Sequence, residues 1–192
     1  MPDRDDVKKR KPIPVDEIKK IQQKCYEVDD DPRWLLALIS DTGLRLSEAV
    51  GLAISDIKLD SSTPYLIIQP HPWRSLKTKS SHRKVPLVGA SLWAARRVVH
   101  HLNTRYAFPR YNDGELANAN SASAALNKWL KPMVSERCVV HSFRHSMRDR
   151  LRAVECPSEL IDQICGWSNK SVGEGYGNGF DLKVKYKWIK LL

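Results

Sequence analysis

The residues of this chain best suited to chemistry sit in one stretch, Val139-Val140-His141-Ser142-Phe143-Arg144-His145-Ser146-Met147-Arg148-Asp149-Arg150-Leu151. Its pattern predicts the start of a helix. His141 and Arg144 are three apart and project from one side, one turn on. Phe143, Met147 and Leu151 recur at a spacing of four and form the stripe that packs. His145 falls between the two faces. An imidazole and a guanidinium offered from one side of a packed helix suit a phosphate, because both donate to anionic oxygens. Taken alone, the same residues read more simply as the solvated face of a basic helix.

Three other segments carry residues of the same character. In Thr42-Gly43-Leu44-Arg45-Leu46-Ser47-Glu48, Arg45 lies in the turn between two apolar helices, a rigid place from which to aim a guanidinium. Glu48, three residues on, is placed to hold that side chain or to cap its own helix. In Leu76-Lys77-Thr78-Lys79-Ser80-Ser81-His82-Arg83-Lys84-Val85-Pro86-Leu87, a lysine at a hairpin tip is a mobile ammonium able to reach into a cleft. Lys77 and Lys79 both qualify. In the third segment, Cys165-Gly166-Trp167-Ser168 is followed by Gly173-Glu174-Gly175-Tyr176-Gly177. Glycine flanks leave the Tyr176 hydroxyl free to move toward a target. Each has a plainer alternative: a surface arginine, a solvated lysine, a loop aromatic.

The elements that must position these groups follow from periodicity. Residues 1–13 are charged and apolar-poor and read as a flexible lead-in. A helix is predicted from Pro14 to about Tyr26, with Ile18, Ile21 and Cys25 on one face. Asp29-Asp30-Asp31 and Pro32 open a strongly apolar helix that stops at Asp41-Thr42-Gly43. Ser47 reads as the N-cap of the next, Glu48 to about Ala53. The period then changes: Asp56–Leu59, Tyr65–Ile68 and His82–Leu87 suggest a small antiparallel sheet of three strands. Helices resume at Ala90–His101, where Leu92, Trp93, Ala95 and Val99 are candidates to face a core. A loop follows at 108–118, then helices at Ala122–Leu130, from His141, at Pro157–Ile164 and at Leu182–Leu191. The class is mainly α with one small three-stranded antiparallel sheet (α+β).

Composition narrows the partners. The chain has 192 residues, 42% hydrophobic and 28% charged, enough for one domain with its own core. Its formal net charge of +10 is spread along the chain, which favours a nucleic-acid partner over a membrane surface. Arg74, Lys84, Arg96, Arg97 and Lys128 are candidates to grip a phosphate backbone. His71, His82, His100 and His101 read as surface or structural. Cys25, Cys138, Cys156 and Cys165 have no paired spacing, so they read as free thiols of a reducing compartment. No apolar run reaches membrane-spanning length and no signal core is present, which predicts a cytoplasmic protein.

The four segments, in this order, resemble the catalytic domain of the tyrosine recombinases, the phage integrase family. The family's signature is Arg, Lys, His-x-x-Arg, His or Trp, then Tyr. This chain supplies Arg45, Lys77, His141, Arg144, Trp167 and Tyr176, and the likeness runs from about Pro14 to the C-terminus. Trp167 stands where histidine is more usual. Lys77 fits the Lys-Thr pattern better than Lys79.

The resemblance implies the tyrosine recombinase catalytic-domain fold and a defined division of labour. Tyr176 would attack a phosphodiester and leave a covalent 3′-phosphotyrosine. Arg45 and Arg144 would grip the non-bridging oxygens, each worth roughly 3 kcal/mol in the transition state. Lys77 would protonate the departing 5′ oxygen. His141 would hydrogen-bond the phosphate or help accept the phenol proton. Trp167 can only donate, through its indole N–H. Glu48 and His145 are supporting residues. Neither metal nor ATP is expected: the sequence has no metal-ligand spacing and no phosphate-binding Gly-x-x-x-x-Gly-Lys loop.

Such recombinases also carry an N-terminal helical domain that closes around DNA, which this sequence is expected to lack, leaving 14–192 as the catalytic domain. The apolar segment Leu182–Leu192 is expected to dock on its own core or on a neighbour in a homotetramer on double-stranded DNA. A prokaryotic, phage or genomic-island origin fits. Two other readings remain open: a type IB topoisomerase-like enzyme, and a DNA-binding module that has lost its chemistry.

Overall fold

A computed structural model describes residues 10–78, 81–101, 103–167 and 179–192. Helix α1 (Val15–Val28) buries the predicted stripe of Ile18, Ile21 and Cys25 and ends at Asp29, whose left-handed backbone short side chains tolerate. Helix α2 (Asp31–Ser40) is capped by the Asp30 carboxylate, which accepts from the Arg33 N–H at 3.1 Å. Every residue from Trp34 to Ser40 is buried, so α2 is the central helix, flanked by α1, α4 (Gly89–His101) and α6 (Ser142–Ala153).

The short α3 (Leu46–Val50) has its N-cap at Arg45, two residues before the expected Ser47 cap, because Glu48 accepts from the Arg45 backbone N–H at 3.0 Å. The sheet is antiparallel in the order β1 (Ile57–Lys58), β2 (Tyr65–Ile68), β3 (Arg83–Pro86). Pro86, which has no N–H to give a ladder, is tolerated on an edge strand. β1 is shorter than expected. Asp56 is drawn into a turn at Ile54–Asp56, where its fully buried carboxylate accepts from the Ala53 N–H, from Gln69 and from His71.

In α4 the buried face is Ala90, Ala94, Ala95 and Val98. Val99 is 38% exposed, so the expected face is off by one residue in phase. Helix α5 (Ala119–Leu130) starts three residues early because Asn118 caps it, accepting from the Ser121 N–H at 3.0 Å. Two cores result. The larger gathers α1 to α5, the sheet and Phe143; the smaller joins Met147 and Leu151 of α6 to α7 (Ser158–Cys165) and to Ile189 of α8 (Leu182–Ile189). Helix α6 therefore carries both cores on one stripe. All four cysteines are buried and free, and burial raises Cys25 to about 12 and Cys165 to about 11.

The end of the expected lead-in is not free of the fold. Ile13 is buried, its N–H donates to Ser146 Oγ at 2.7 Å, and the same hydroxyl donates back to the Ile13 carbonyl at 3.0 Å. A serine on α6 thus pins the chain just before α1. At the other end, α8 packs on β3 of its own chain, and Arg150 reaches the Leu192 carbonyl at 3.3 Å.

Candidate active site

The site is built on the turn between α2 and α3, the start of α6 and the end of α7. Gly43 makes the first approach possible. Its φ is +63°, and a Cβ there would fall 2.8 Å from that of Met147, so only glycine lets the turn lie against α6. Arg144, 2% exposed, then donates from Nη1 to the Gly43 carbonyl at 3.0 Å. Gly166 ends α7 with φ +68° and turns its carbonyl toward the same place. Arg45 Nη2 reaches that oxygen at 3.1 Å and Arg144 Nη2 at 3.4 Å. Two guanidiniums about a hundred residues apart in sequence share one acceptor.

Glu48 holds the first of them. It takes the Arg45 side chain at 2.7 Å as well as the backbone N–H, so it both caps its helix and aims the arginine. It also binds Arg83, at 3.2 Å from Nη1 and 2.9 Å from Nη2, with both side chains almost wholly buried. Burial alone would raise the Glu48 carboxyl, but Arg83 and then Arg45 outweigh it and hold it below the usual range. Among the described residues, Glu48 faces Arg45, Arg83 and Arg144, which leaves this cluster cationic. Burial and the neighbouring Arg45 push Arg144 down to about 10, still protonated at neutral pH.

Trp167 lies under two cations, 4.8 Å from the Arg144 guanidinium and 4.4 Å from that of Arg148. His141 caps α6, half-buried, with its ring edge-on to His145 at 5.4 Å. His145 is likewise half-buried, beside the site. Burial first, then the charges of Arg10, His145, Arg144 and Arg45, lower His141 to about 4. Its imidazole is therefore neutral at pH 7.

The predicted residues divide accordingly. Arg45, Glu48, Arg144 and Trp167 come together, with His141 and His145 alongside. Lys77 lies exposed on the β2–β3 connection. That connection is tied to the site through Ser81, whose hydroxyl lies 3.0 Å from Thr78 Oγ1 and accepts from Arg45 Nη1 at 3.2 Å. Tyr176 and Lys79 lie outside the described residues.

Sequence reasoning missed Arg83, Ser81 and Arg148, and misplaced Arg74. A signal for Arg83 was present: it shares strand phase with Val85 and Leu87, a charge on the face that packs. Arg74, expected to grip a phosphate backbone, is instead 4% exposed, donates to the Glu48 carbonyl at 3.0 Å and lies 3.8 Å from Asp56. Arg97 pairs with Asp29 at 2.9 Å. Lys84, Arg96 and Lys128 are exposed. Among the described residues no helix is long and apolar enough to cross a membrane, and no group of three acidic, histidine or cysteine side chains is placed to hold a metal.

Arginines converging beside a histidine-x-x-arginine helix, on a mainly helical scaffold with a three-stranded sheet, define a class. The chain belongs to the phage integrase family, whose model matches residues 11–180. It is 27% identical to the tyrosine recombinase XerC of Proteus mirabilis over 150 residues, covering 75% of this chain and 46% of that one. The chain thus spans just under half the length of that relative. Among solved structures it resembles the Tn1549 transposon integrase in complex with transposon right-end DNA (TM-score 0.67, 17% identity, 98% of this chain and 68% of that one). It also resembles the XerA recombinase (TM-score 0.66, 15% identity, 94% and 63%) and a lambda integrase tetramer bound to a Holliday junction (TM-score 0.55, 12% identity, 88% and 48%).

Proposed function

We propose that this chain is a site-specific DNA recombinase that cuts and rejoins strands through a covalent 3′-phosphotyrosine, without metal or ATP. The observation that carries the reading is the shared acceptor: Arg45 and Arg144 meet at the Gly166 carbonyl, 3.1 and 3.4 Å away. That oxygen stands for the kind of acceptor a scissile phosphate would offer, and two donors aimed at one point suit the charge that grows on phosphorus in the transition state. Tyr176 Oη would give up its proton to solvent and attack phosphorus, the P–O5′ bond would break, and a hairpin lysine, Lys77 by its motif, would supply the proton to O5′. His141, neutral and a weak base, suits a hydrogen bond to the phosphate better than removal of the phenol proton. Trp167 orders Arg144 and offers an N–H.

The partner proposed is duplex DNA, and the working form a homotetramer on it, assembled through the C-terminal segment, in a prokaryotic cell or a mobile element within it. Helix α8 docks at home here, but Val184 and Leu191 remain 39% and 54% exposed for a neighbour. The direct test is a nicked suicide substrate whose cleavage traps the enzyme. The parent chain is expected to form a covalent adduct and Tyr176→Phe none. Equal adduct from both removes Tyr176 from the role, and DNA binding with no adduct from the parent points to a module without chemistry.

A further inference from the structure

We propose that Arg83 is a positioning residue that sets the proton donor of the β2–β3 hairpin, an inference that rests on the recombinase reading. Arg83 is 7% exposed and joins three parts of the chain. Its Nε donates to the Ile164 carbonyl at the end of α7 at 2.9 Å, and its Nη1 to the Ser81 carbonyl at the base of the hairpin at 2.8 Å. Both Nη groups bind Glu48 on α3. Ser81 in turn closes on Thr78, its N–H 3.1 Å from the Thr78 carbonyl. Thr78 directly follows Lys77. The junction is tightly filled: a Cβ at Gly166 would lie 2.5 Å from Arg83 Nη1.

These bonds separate two jobs. Glu48 keeps Arg45 in place through its own contacts, and a lysine at 83 would preserve the charge opposite Glu48. A lysine cannot also reach both carbonyls with the fixed fork of a guanidinium. What Arg83→Lys removes is the tie between the hairpin base and α7. The arginine grip on phosphate stays, and the ammonium on the hairpin is misplaced. Misplacement by about 1 Å costs roughly a hundredfold in a positioned reaction.

The test compares two suicide substrates in each protein sample, one with the normal 5′-bridging oxygen and one with sulfur in that position. Sulfur leaves as a thiolate, whose acid has a pKa of about 8.5 against roughly 16 for water, so it needs no proton. The rate ratio, sulfur over oxygen, is internal to each sample, so any unfolded fraction cancels. For Arg83→Lys the ratio is expected to rise about a hundredfold over that of the parent, with DNA affinity in a gel shift unchanged. A ratio equal to the parent's, with both rates lowered together, makes Arg83 a structural strut only and overturns the proposal. If the parent forms no adduct on either substrate, the recombinase reading fails and the inference falls with it.

Discussion

Arg45 and Arg144 donate to the same carbonyl oxygen, that of Gly166, although Arg45 stands in the turn before α3 and Arg144 on α6, about a hundred residues on. In the proposed reaction the scissile phosphate would take further N–H donors of the same two guanidiniums. A phosphate oxygen carries more negative charge than a peptide oxygen, so it is the stronger acceptor for a pair of guanidiniums. The contact gives a buried guanidinium, Arg144, and a half-buried one, Arg45, a common acceptor and holds them aimed.

Replacing either arginine by lysine keeps a positive charge but loses the planar fork. Arg45→Lys and Arg144→Lys are each expected to slow adduct formation on a suicide substrate by about a hundredfold or more, with a much smaller change in DNA affinity. Rates within threefold of the parent would show that the convergence has no bearing on the chemistry.

Glu48 is the acid on which the arrangement turns. Its folded pKa is depressed, so its contribution to stability is present above the unfolded value, about 4.3, and is lost as the pH falls through the folded one. Glu48→Gln leaves Arg83 buried without a counter-charge, at a cost of about 3–5 kcal/mol. Thermal melting at pH 7 is expected to drop by roughly 10 °C. The parent should lose stability below about pH 4 more steeply than the variant. Parallel melting-point curves for the two proteins from pH 3 to 7 would remove Glu48 from this role.

How much of this could be read beforehand depends on the range of the interaction. Helix faces were legible because burial repeats with the helix period: Phe143, Met147 and Leu151 are all fully buried. Arg45 and Glu48 were legible because they are three apart on one turn. The partners of Arg83 and Arg74 were not, since they lie 35 and 26 residues away on other elements. The Gly166 carbonyl is backbone, and residue type says nothing of where it points. The packing of Ile13 escaped for a related reason: its anchor, the Ser146 hydroxyl, is 133 residues on.

His141 offers a titration with a definite sign. Burial and surrounding cations lower it to about 4, so the folded chain keeps it neutral where the unfolded chain, near 6.5, binds a proton. Its contribution to stability is therefore complete above pH 6.5 and is lost as the pH falls toward 4. The imidazole proton resonances of His141, assigned by comparison with His141→Asn, are expected to stay in the neutral position at pH 6. A midpoint near 6.5 would show the ring to be as solvated as a free histidine.

Trp167 stands where the resemblance more often places a histidine, and its surroundings suit a tryptophan to the role proposed for it. Its ring lies 4.8 Å from the Arg144 guanidinium and 4.4 Å from that of Arg148, contacts each worth about 1–2 kcal/mol when partly desolvated. The ring therefore orders Arg144 as well as offering an N–H. The two jobs come apart by substitution. Trp167→Phe keeps an aromatic face and loses the donor, Trp167→His keeps a donor and loses most of the face, and Trp167→Ala loses both. Alanine is expected to reduce adduct formation about a hundredfold, and phenylalanine and histidine each by about tenfold, from the loss of one interaction of 1–2 kcal/mol. Arg148→Gln should lower the rate in the parent and leave Trp167→Ala unchanged, because the ring through which it acts is gone. If Arg148→Gln slows both backgrounds equally, Arg148 works independently of Trp167, and the stacking account is wrong.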